Sequence, residues 1–200
     1  MEQTTVIIAD DDPIIRMDMR EMLQEYGYIV AGTAKNGEES VEMAAKLRPA
    51  LILLDVKMPR MNGLKAARLI RRMYDPAIVL VTACSGKDTV REAGEAGVTA
   101  YLVKPVSEEN LFPAIEIALC QQARTEGLKR TLISLERSAE ERKAVERAKG
   151  YLMQTHDWSE EEAYRFMRGA SMESRLTMGK LAEAVLQGRE QWVSGKAGNG

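Results

Sequence analysis

Two short apolar runs in this chain lead directly into acidic residues, and this feature constrains the fold more than any other. The run Leu51–Leu54 precedes Asp55, and the run Val6–Ala9 precedes three consecutive aspartates that begin at Asp10. Apolar runs of this length are typical of buried strands in a parallel sheet. Open α/β sheets bind ligands at the carboxyl ends of such strands, so the pattern predicts a functional site around Asp55.

Three further apolar runs complete the predicted sheet. They occupy residues 28–32, 78–81 and 98–103, and helical segments separate them. Strands that alternate with helices predict a doubly wound, five-stranded parallel sheet of the α/β class. Residues 1–120 are assigned to this domain.

The acidic side chains at the strand ends predict a metal site. If the strands that precede Asp10 and Asp55 are neighbours, the carboxylates of Asp10, Asp11 and Asp55 lie close together. Carboxylates so placed repel one another unless a cation lies among them. Hard oxygen ligands of this kind suit Mg²⁺.

Taken in order along the chain, these residues resemble the receiver domain of two-component response regulators over roughly residues 4–120. The resemblance rests on Asp10, Asp11, Asp55, Thr82 and Lys104-Pro105, each placed at the end of a predicted strand. It implies a flavodoxin-like fold. The alternative is an acidic cluster of structural or capping residues in an unrelated α/β domain.

The resemblance also implies the role of each residue. In the family, Asp55 would accept a phosphoryl group from a sensor histidine kinase. Mg²⁺ would be held by Asp10, Asp11, Asp55 and the backbone carbonyl of Lys57.

Three residues on the last two predicted strands complete the implied site. Thr82 and Lys104 would contact the phosphoryl oxygens, and Lys104 has a point charge suited to this contact. Tyr101 would turn inward together with the Thr82 hydroxyl as a switch. The alternative for Tyr101 is a half-buried strand residue with a solvated hydroxyl. A cis bond at Lys104-Pro105 is expected from the same resemblance.

Composition limits the class of protein. No apolar run approaches the roughly 20 residues needed to span a bilayer, and the N-terminus lacks the features of a signal peptide. We therefore expect a cytoplasmic chain with no membrane partner. Two cysteines and one histidine are too few for a Cys/His zinc site. We interpret both cysteines, Cys84 and Cys120, as small apolar residues that fill space.

A long helical segment follows the receiver pattern over about residues 107–154, as one helix or two abutting ones. It carries two apolar sets in heptad spacing, separated by a three-residue slip at Gly127. The first set is Leu111, Ile115 and Ala118, continued by Gln122 and Thr125, and the second is Leu128, Leu132, Leu135 and Ala139.

The heptad stripe predicts an assembly. Because no further sheet is left for it to cover, we expect a homodimer on phosphorylation through residues of about 111–139. The alternative is a helix that packs against its own domain. Residues 121–139 are assigned as a coiled-coil linker.

A second signature begins at Glu140. The segments Glu141–Met153 and Trp158–Tyr164, followed by Ala170-Ser171-Met172, resemble the ANTAR domain over about residues 126–188. The resemblance implies a module that binds paired RNA hairpins in nascent transcripts and so acts as a transcription antiterminator. This domain is assigned to residues 140–190, and residues 191–200 are predicted to form a disordered tail.

Local patterns in this region predict a small three-helix bundle. Ser159 and Glu162 match a capping box, and Thr177 is placed to cap the last helix. Candidate RNA-binding residues fall on two helical faces, where they could meet phosphates or stack on unpaired bases. They are Arg142 and Lys149 on one face, and Arg168, Ser171 and Arg175 on the other. Without the resemblance, ordinary solvated faces would be the preferred interpretation.

Charge differs modestly between the two halves of the chain. Residues 1–120 contain 14 Lys and Arg against 18 Asp and Glu, and residues 121–200 contain 14 against 12. The second half is thus compatible with nucleic-acid binding but is not strongly basic.

Two other functions are weighed against this interpretation. A DNA-binding response regulator would need a helix-turn-helix, and residues 140–187 show no clear recognition helix. A phosphatase of the haloacid-dehalogenase type would need a second acid two residues after Asp55, where this chain has Lys57. We therefore expect a regulator and not an enzyme.

Overall fold

The computed structural model describes residues 4–83 and 87–188, without the side chains of residues 87–90. The chain divides into two compact units, Met1–Gly127 and Leu128–Gly200. The predicted disordered tail, residues 191–200, lies outside the described residues, as does Cys84. Cys120 is exposed, so the expectation that it fills space in a core is wrong. Within the described part of the chain, no helix is both long and apolar enough to cross a membrane.

The first unit contains one parallel sheet. Its strands are β1 (Thr5–Ala9), β2 (Ile29–Ala34), β3 (Leu51–Asp55), β4 (Ala77–Thr82) and β5 (Ala100–Val103). They lie side by side in the order β2-β1-β3-β4-β5, and every neighbouring pair is parallel. This arrangement confirms the predicted doubly wound, five-stranded sheet.

Helices cover both faces of this sheet. They are α1 (Pro13–Glu25), α2 (Gly37–Leu47), α3 (Gly63–Met73), α4 (Lys87–Glu95) and the N-terminal part of α5 (Glu108–His156). Alternate side chains of each central strand enter different cores, because successive residues of a strand point to opposite faces. In β3, Ile52 and Leu54 pack with residues of α2 and α3, whereas Leu51 and Leu53 pack with residues of α1 and α5.

The first apolar set of α5 belongs to the core of its own unit. Leu111, Ile115 and Ala118 are fully buried in the core that includes Leu51 and Leu53. Gln122, one turn further on, is also buried, and its Nε2 atom donates to the Asp75 carbonyl oxygen at 2.5 Å. The expectation that residues from 111 onward form part of a free dimer seam is therefore wrong for this set. These residues of α5 pack against the sheet, which heptad spacing alone could not indicate.

The second apolar set has a different environment. Leu128, Leu132 and Leu135 are 65%, 57% and 63% exposed, and α5 continues through Gly127 without a break. The segment predicted as one helix or two is a single helix. An exposed stripe of leucines therefore lies along the middle of α5.

The second unit is a small helical bundle. The C-terminal part of α5 packs with α6 (Glu160–Ser174) and α7 (Met178–Leu186) around a core of small and medium-sized apolar side chains. Ser159 and Glu162 form the predicted capping box, and the Thr177 side chain accepts from the Lys180 amide at the start of α7. Each such cap stabilises its helix by about 1 kcal/mol.

Candidate functional site

Strand register brings the predicted acidic residues together. Ala9 of β1 lies opposite Leu54 of β3, so the residues that follow them, Asp10 and Asp55, are neighbours at the carboxyl edge of the sheet. One carboxylate oxygen from each of Asp10, Asp11 and Asp55 lies within 4.8 Å of the others. Asp10 and Asp55 are buried, whereas Asp11 is exposed.

Lys104 reaches the same cluster from the end of β5. Its Nζ atom lies 2.7 Å from Oδ2 of Asp10 and 3.4 Å from Oδ1 of Asp55. Its backbone N–H donates to the Thr82 carbonyl oxygen at 2.8 Å, which fixes the loop beside β4. The Lys104-Pro105 bond is cis, as expected.

Burial and charge shift the protonation equilibria of this cluster. Burial, followed by the charge of Asp10, raises the pKa of Asp55 above its ordinary value, although Lys104 opposes the shift. Burial lowers the pKa of Lys104, but the hydrogen bond and charge of Asp10 and the charge of Asp55 outweigh it, so its pKa is raised. The cluster thus favours the cationic form of Lys104 and disfavours the ionised form of Asp55 relative to a free aspartate.

The donor set fits a divalent cation. Three carboxylates face the single ammonium of Lys104, so these four side chains leave two negative charges without compensation. Hard oxygen ligands and a deficit of two positive charges match the requirements of Mg²⁺. The Lys57 backbone N–H donates to the Asp55 carboxylate, and its carbonyl remains the fourth predicted ligand.

The loop after β3 is held in place by backbone contacts at Gly63. The Val56 N–H donates to the Val81 carbonyl, and the Gly63 N–H donates to the Val56 carbonyl, both at 3.0 Å. A Cβ atom on Gly63 would lie well inside 3.0 Å of the Asp55 carbonyl oxygen, a separation that real Cβ atoms do not show. Close approach to Asp55 is therefore the reason for glycine at this position.

The acidic run after β1 contains residues with separate tasks. The Oδ1 atom of Asp10 accepts from the Asp12 N–H at 3.0 Å, and the Asp12 carboxylate caps α1 by accepting from the Ile14 N–H at 2.8 Å. Arg16, which sequence reasoning missed, donates from Nη1 to the Asp10 carbonyl oxygen at 2.5 Å. Its position one turn into α1, after a capping Asp and a Pro, is the only sequence signal that could have suggested this contact.

Thr82 and Tyr101 occupy different environments. Thr82 is buried at the end of β4, next to the residue that lies opposite Asp55. Tyr101 of β5 lies opposite Leu80 of β4, and its side chain is 47% exposed. The structure therefore places Thr82 at the carboxyl edge of the sheet, whereas the Tyr101 side chain is exposed at the surface.

The five candidate RNA-binding residues divide into two groups. Arg142, Arg168 and Arg175 are exposed. By contrast, the Ser171 hydroxyl donates to the Leu176 carbonyl oxygen at 2.6 Å and is used within the turn between α6 and α7. The arginines are therefore the members of this set that are available to a partner.

Lys149 is also engaged within the bundle. Its Nζ atom lies 2.9 Å from Glu146 and 2.8 Å from Glu160, which joins α5 to the first turn of α6. Hydrogen bonds to Glu160 and Glu146 raise the pKa of Lys149. Its methylene stem is buried while both glutamates are exposed, so the ammonium end reaches the surface.

An open groove crosses the surface of the bundle beside Arg142. Its volume is about 370 Å³. The lining residues are Ser138, Glu141, Arg142, Val145, Glu146, Tyr164, Met178 and Gly179. The groove thus combines one cation and one exposed aromatic ring, on which an unpaired base can stack, with two carboxylates.

Comparisons with known proteins agree for both units. The family model described as "Response regulator receiver domain" matches residues 6–116, and the model described as "ANTAR domain" matches residues 134–186. The "Transcriptional regulatory protein PdtaR" of Mycobacterium tuberculosis is 44% identical over 182 residues, which cover 91% of this chain and 89% of that protein.

Other similar proteins match a shorter part of the chain. The "Chemotaxis protein CheY" of Thermotoga maritima is 35% identical over 111 residues, covering 55% of this chain and 92% of that protein. Among solved structures, the signal receiver domain of a modulated diguanylate cyclase from Desulfovibrio desulfuricans superposes with a TM-score of 0.58 at 28% identity. That superposition covers 62% of this chain and 99% of the receiver domain.

Proposed function

The chain belongs to the two-component response regulators that combine a receiver domain with an ANTAR domain, and we propose that phosphorylation of Asp55 controls its binding to RNA hairpins. Binding of two hairpins in a nascent transcript would prevent a terminator from forming, so the chain would act as a transcription antiterminator. The observation that carries this proposal is the convergence of Asp10, Asp11, Asp55 and Lys104 at one edge of the sheet in a chain that also contains an ANTAR domain.

Asp55 is the proposed phosphoacceptor. A carboxylate oxygen of Asp55 attacks the phosphorus of a phosphohistidine on a sensor histidine kinase, the P–N bond breaks, and its electron pair stays with the imidazole. Asp55 suits this role because it ends a buried strand at the edge of the sheet where Asp10, Asp11 and Lys104 meet. Regulation, and not turnover of a small substrate, is the proposed outcome of this step.

The other cluster residues support the transfer. When bound to Asp10, Asp11, Asp55 and the Lys57 carbonyl, Mg²⁺ would neutralise charge on the transferring phosphoryl group. Lys104 lies between Asp10 and Asp55 and would shift its ammonium toward a phosphoryl oxygen. Asp10 would in turn hold the lysine in place.

Thr82 and Tyr101 are proposed to report the phosphorylated state. The Thr82 hydroxyl would turn toward a phosphoryl oxygen, and the exposed Tyr101 ring would move inward into the space that Thr82 leaves. Support comes from the position of Thr82 next to the residue paired with Asp55, and from the exposure of the Tyr101 side chain.

The exposed leucine stripe of α5 is proposed as the seam of a homodimer that forms on phosphorylation. Leu128, Leu132 and Leu135 keep heptad spacing and are exposed in the single chain. A second helix packed along them would bury these side chains. Covering these leucines would remove exposed apolar surface from water, which favours association.

RNA binding is proposed to use the bundle. Arg142, Arg168 and Arg175 would meet RNA phosphates or stack on loop bases, whereas Lys149 and Ser171 would hold the helices that present them. A dimer carries two bundles, so an RNA with two hairpins gains effective concentration, often by about 10²–10⁴ in affinity. Phosphorylation would thus switch RNA binding without touching the RNA surface.

A titration of RNA with phosphorylated and unphosphorylated protein tests the function. We expect the phosphorylated protein to prefer RNA with two hairpins over RNA with one, and to bind duplex DNA of the same length much more weakly. Asp55→Asn should show no labelling by a small phosphodonor with Mg²⁺ and no gain in RNA affinity. Equal affinity for duplex DNA would instead support a DNA-binding regulator, and unchanged two-hairpin affinity on phosphorylation would exclude control through the dimer.

A further inference from the structure

Charge in the receiver domain is strongly segregated along the chain. Residues 56–74 contain six Lys and Arg and no Asp or Glu. The remainder of residues 1–120 contains eight Lys and Arg against 18 Asp and Glu. The segment immediately after Asp55 is therefore a concentrated cationic region in an otherwise acidic domain.

The structure places three of these cations on one exposed face of α3. Lys65, Arg68 and Arg72 are exposed, and their spacing of three and four residues confines them to an arc of about 60° over a rise of about 10 Å. We call this set the basic stripe. Among the residues whose side chains the structure describes, no carboxylate forms an ion pair with any of the three.

Arg71, on the same helix, differs from the basic stripe because it has partners within the domain. It is partly buried, forms an ion pair with Asp75, and donates from Nε to the Gly97 carbonyl oxygen at 2.7 Å. Burial lowers the pKa of Arg71. Among the side chains that the structure describes, the basic stripe has no such internal partners, so these contacts do not explain its charge.

The phosphorylation chemistry does not explain the basic stripe either. The cation of that site is Lys104, which reaches the acidic cluster from β5. Gly63 opens α3 against Asp55, but Lys65, Arg68 and Arg72 are on the exposed face of the helix. The stripe is therefore available for a second task.

We propose that the basic stripe of Lys65, Arg68 and Arg72 on the receiver domain is a second RNA-binding surface that contacts phosphates of the RNA held by the ANTAR domain. This inference rests on the proposed function. The span matched by the ANTAR model, residues 134–186, contains nine Lys and Arg against ten Asp and Glu, so it has no net positive charge to attract a polyanion. A cationic face elsewhere in the chain supplies that attraction.

The composition of the stripe favours RNA over an acidic protein as the partner. Protein interfaces have an apolar core inside a polar rim. Between Lys65 and Arg72 no large apolar side chain is exposed, since Leu69 is half-buried and Ile70 is fully buried. Arginine forks bind phosphate oxygens in pairs, and phosphate contacts need no apolar neighbour.

The test compares two double variants with equal change in charge. Arg68→Gln with Arg72→Gln alters the stripe, and Arg20→Gln with Lys46→Gln alters exposed cations of α1 and α2. The probe is a tandem-hairpin RNA that the phosphorylated full-length wild-type protein selects from a library with randomised loops. Labelling of Asp55 by a small phosphodonor at the wild-type rate establishes that each variant is folded and phosphorylated.

We measure affinity as a function of salt concentration. Each lost phosphate contact reduces the slope of log affinity against log salt by about 0.7–0.9, so the stripe variant should lose about 1.4–1.8 from the slope and about tenfold in affinity at low salt. The control variant should keep the wild-type slope. Equal slopes of log affinity against log salt for both variants would overturn the inference and would favour an acidic protein as the partner of the stripe. If the wild-type protein selects no RNA, the proposed function is wrong and the inference falls with it.

Discussion

Gly63 packs directly against the backbone of Asp55, with no room for a Cβ atom between position 63 and the Asp55 carbonyl oxygen. The residue that accepts the phosphoryl group in the proposed mechanism is thus positioned by a contact that any other amino acid would displace. Because the obstacle is backbone and not a flexible side chain, local rearrangement would move the strand end itself.

The first prediction follows from this contact. Gly63→Ala should lower the free energy of unfolding by about 2–4 kcal/mol, since overpacking forces a shift of the backbone, and it should slow labelling of Asp55. Gly127→Ala is the matched control, because a Cβ at Gly127 meets nothing within 4 Å in the interior of α5. That change should raise stability by about 0.5–1 kcal/mol. Chemical denaturation monitored by circular dichroism measures both values.

The second prediction concerns pH and Asp55. The pKa of Asp55 is raised in the folded protein, so the folded state favours the protonated carboxyl group. The contribution of Asp55 to stability is therefore lost as pH rises from its unfolded-state pKa, near 3.8, through its higher folded-state pKa. In metal-free protein at pH 7, Asp55→Asn should therefore raise the free energy of unfolding by about 1–2 kcal/mol. The gain should disappear below about pH 4, where residue 55 is neutral in both the wild-type protein and the variant. Urea unfolding at a series of pH values measures it, and a gain that is constant with pH would contradict the charge explanation.

The third prediction separates two neighbouring aspartates. Asp11→Ala should weaken Mg²⁺ binding by about tenfold or more, because it removes an oxygen ligand from the cluster. Asp12→Ala should leave Mg²⁺ affinity unchanged while lowering stability by about 1 kcal/mol, because Asp12 caps α1. Titration calorimetry with MgCl₂ gives the affinities. Equal Mg²⁺ affinity in wild-type protein and Asp11→Ala would remove Asp11 from the metal site.

The fourth prediction concerns assembly. Leu128→Glu with Leu135→Glu places charge in the exposed stripe and should keep the phosphorylated protein monomeric in sedimentation velocity. Ile133→Glu is the control, because Ile133 is 64% exposed but lies on another face of α5. A phosphorylated dimer should persist in the control. A dimer that also persists in the double variant would place the interface elsewhere, for instance around Tyr101.

The fifth prediction distinguishes RNA contacts from support of the bundle. Arg142→Ala should lower RNA affinity without changing the thermal unfolding temperature, because Arg142 is exposed beside the groove. Lys149→Ala should lower the unfolding temperature, since it removes the ion pair with Glu160 that joins α5 to α6 and the ion pair with Glu146 within α5. Calorimetry and RNA titration on the same preparations measure both effects. Loss of RNA affinity in Lys149→Ala with unchanged unfolding would assign Lys149 to the RNA surface instead.

The sequence predicted the strands and their acidic ends because short apolar runs lead directly into aspartates. The meeting of Asp10, Asp11 and Asp55 was expected on the condition that the two strands are neighbours, and the strand order β2-β1-β3-β4-β5 satisfies it. Lys104 was also predicted, through the family resemblance. Arg16 was missed, because its target is a backbone carbonyl, which no residue pattern indicates.

The helical residues show where such reasoning ends. Heptad spacing in α5 described Leu111 and Leu128 alike, although one is buried against the sheet and the other is exposed. The spacing of a helix identifies a face but not what covers it. In the same way, Lys149 was placed on the face of Arg142, while its partner Glu160 was visible only once α6 was in position.

The exposed middle of α5 has a consequence for hydrogen exchange. Residues 127–140 are exposed at every position, so their backbone hydrogen bonds are protected only by the local helix–coil equilibrium and not by a core. Amide protons there should exchange with deuterium far faster than those of β1 or β3, whose side chains are buried. A partner helix laid along Leu128, Leu132 and Leu135 would slow that exchange. Deuterium uptake in this single segment therefore reports the assembly state of the chain without any substitution.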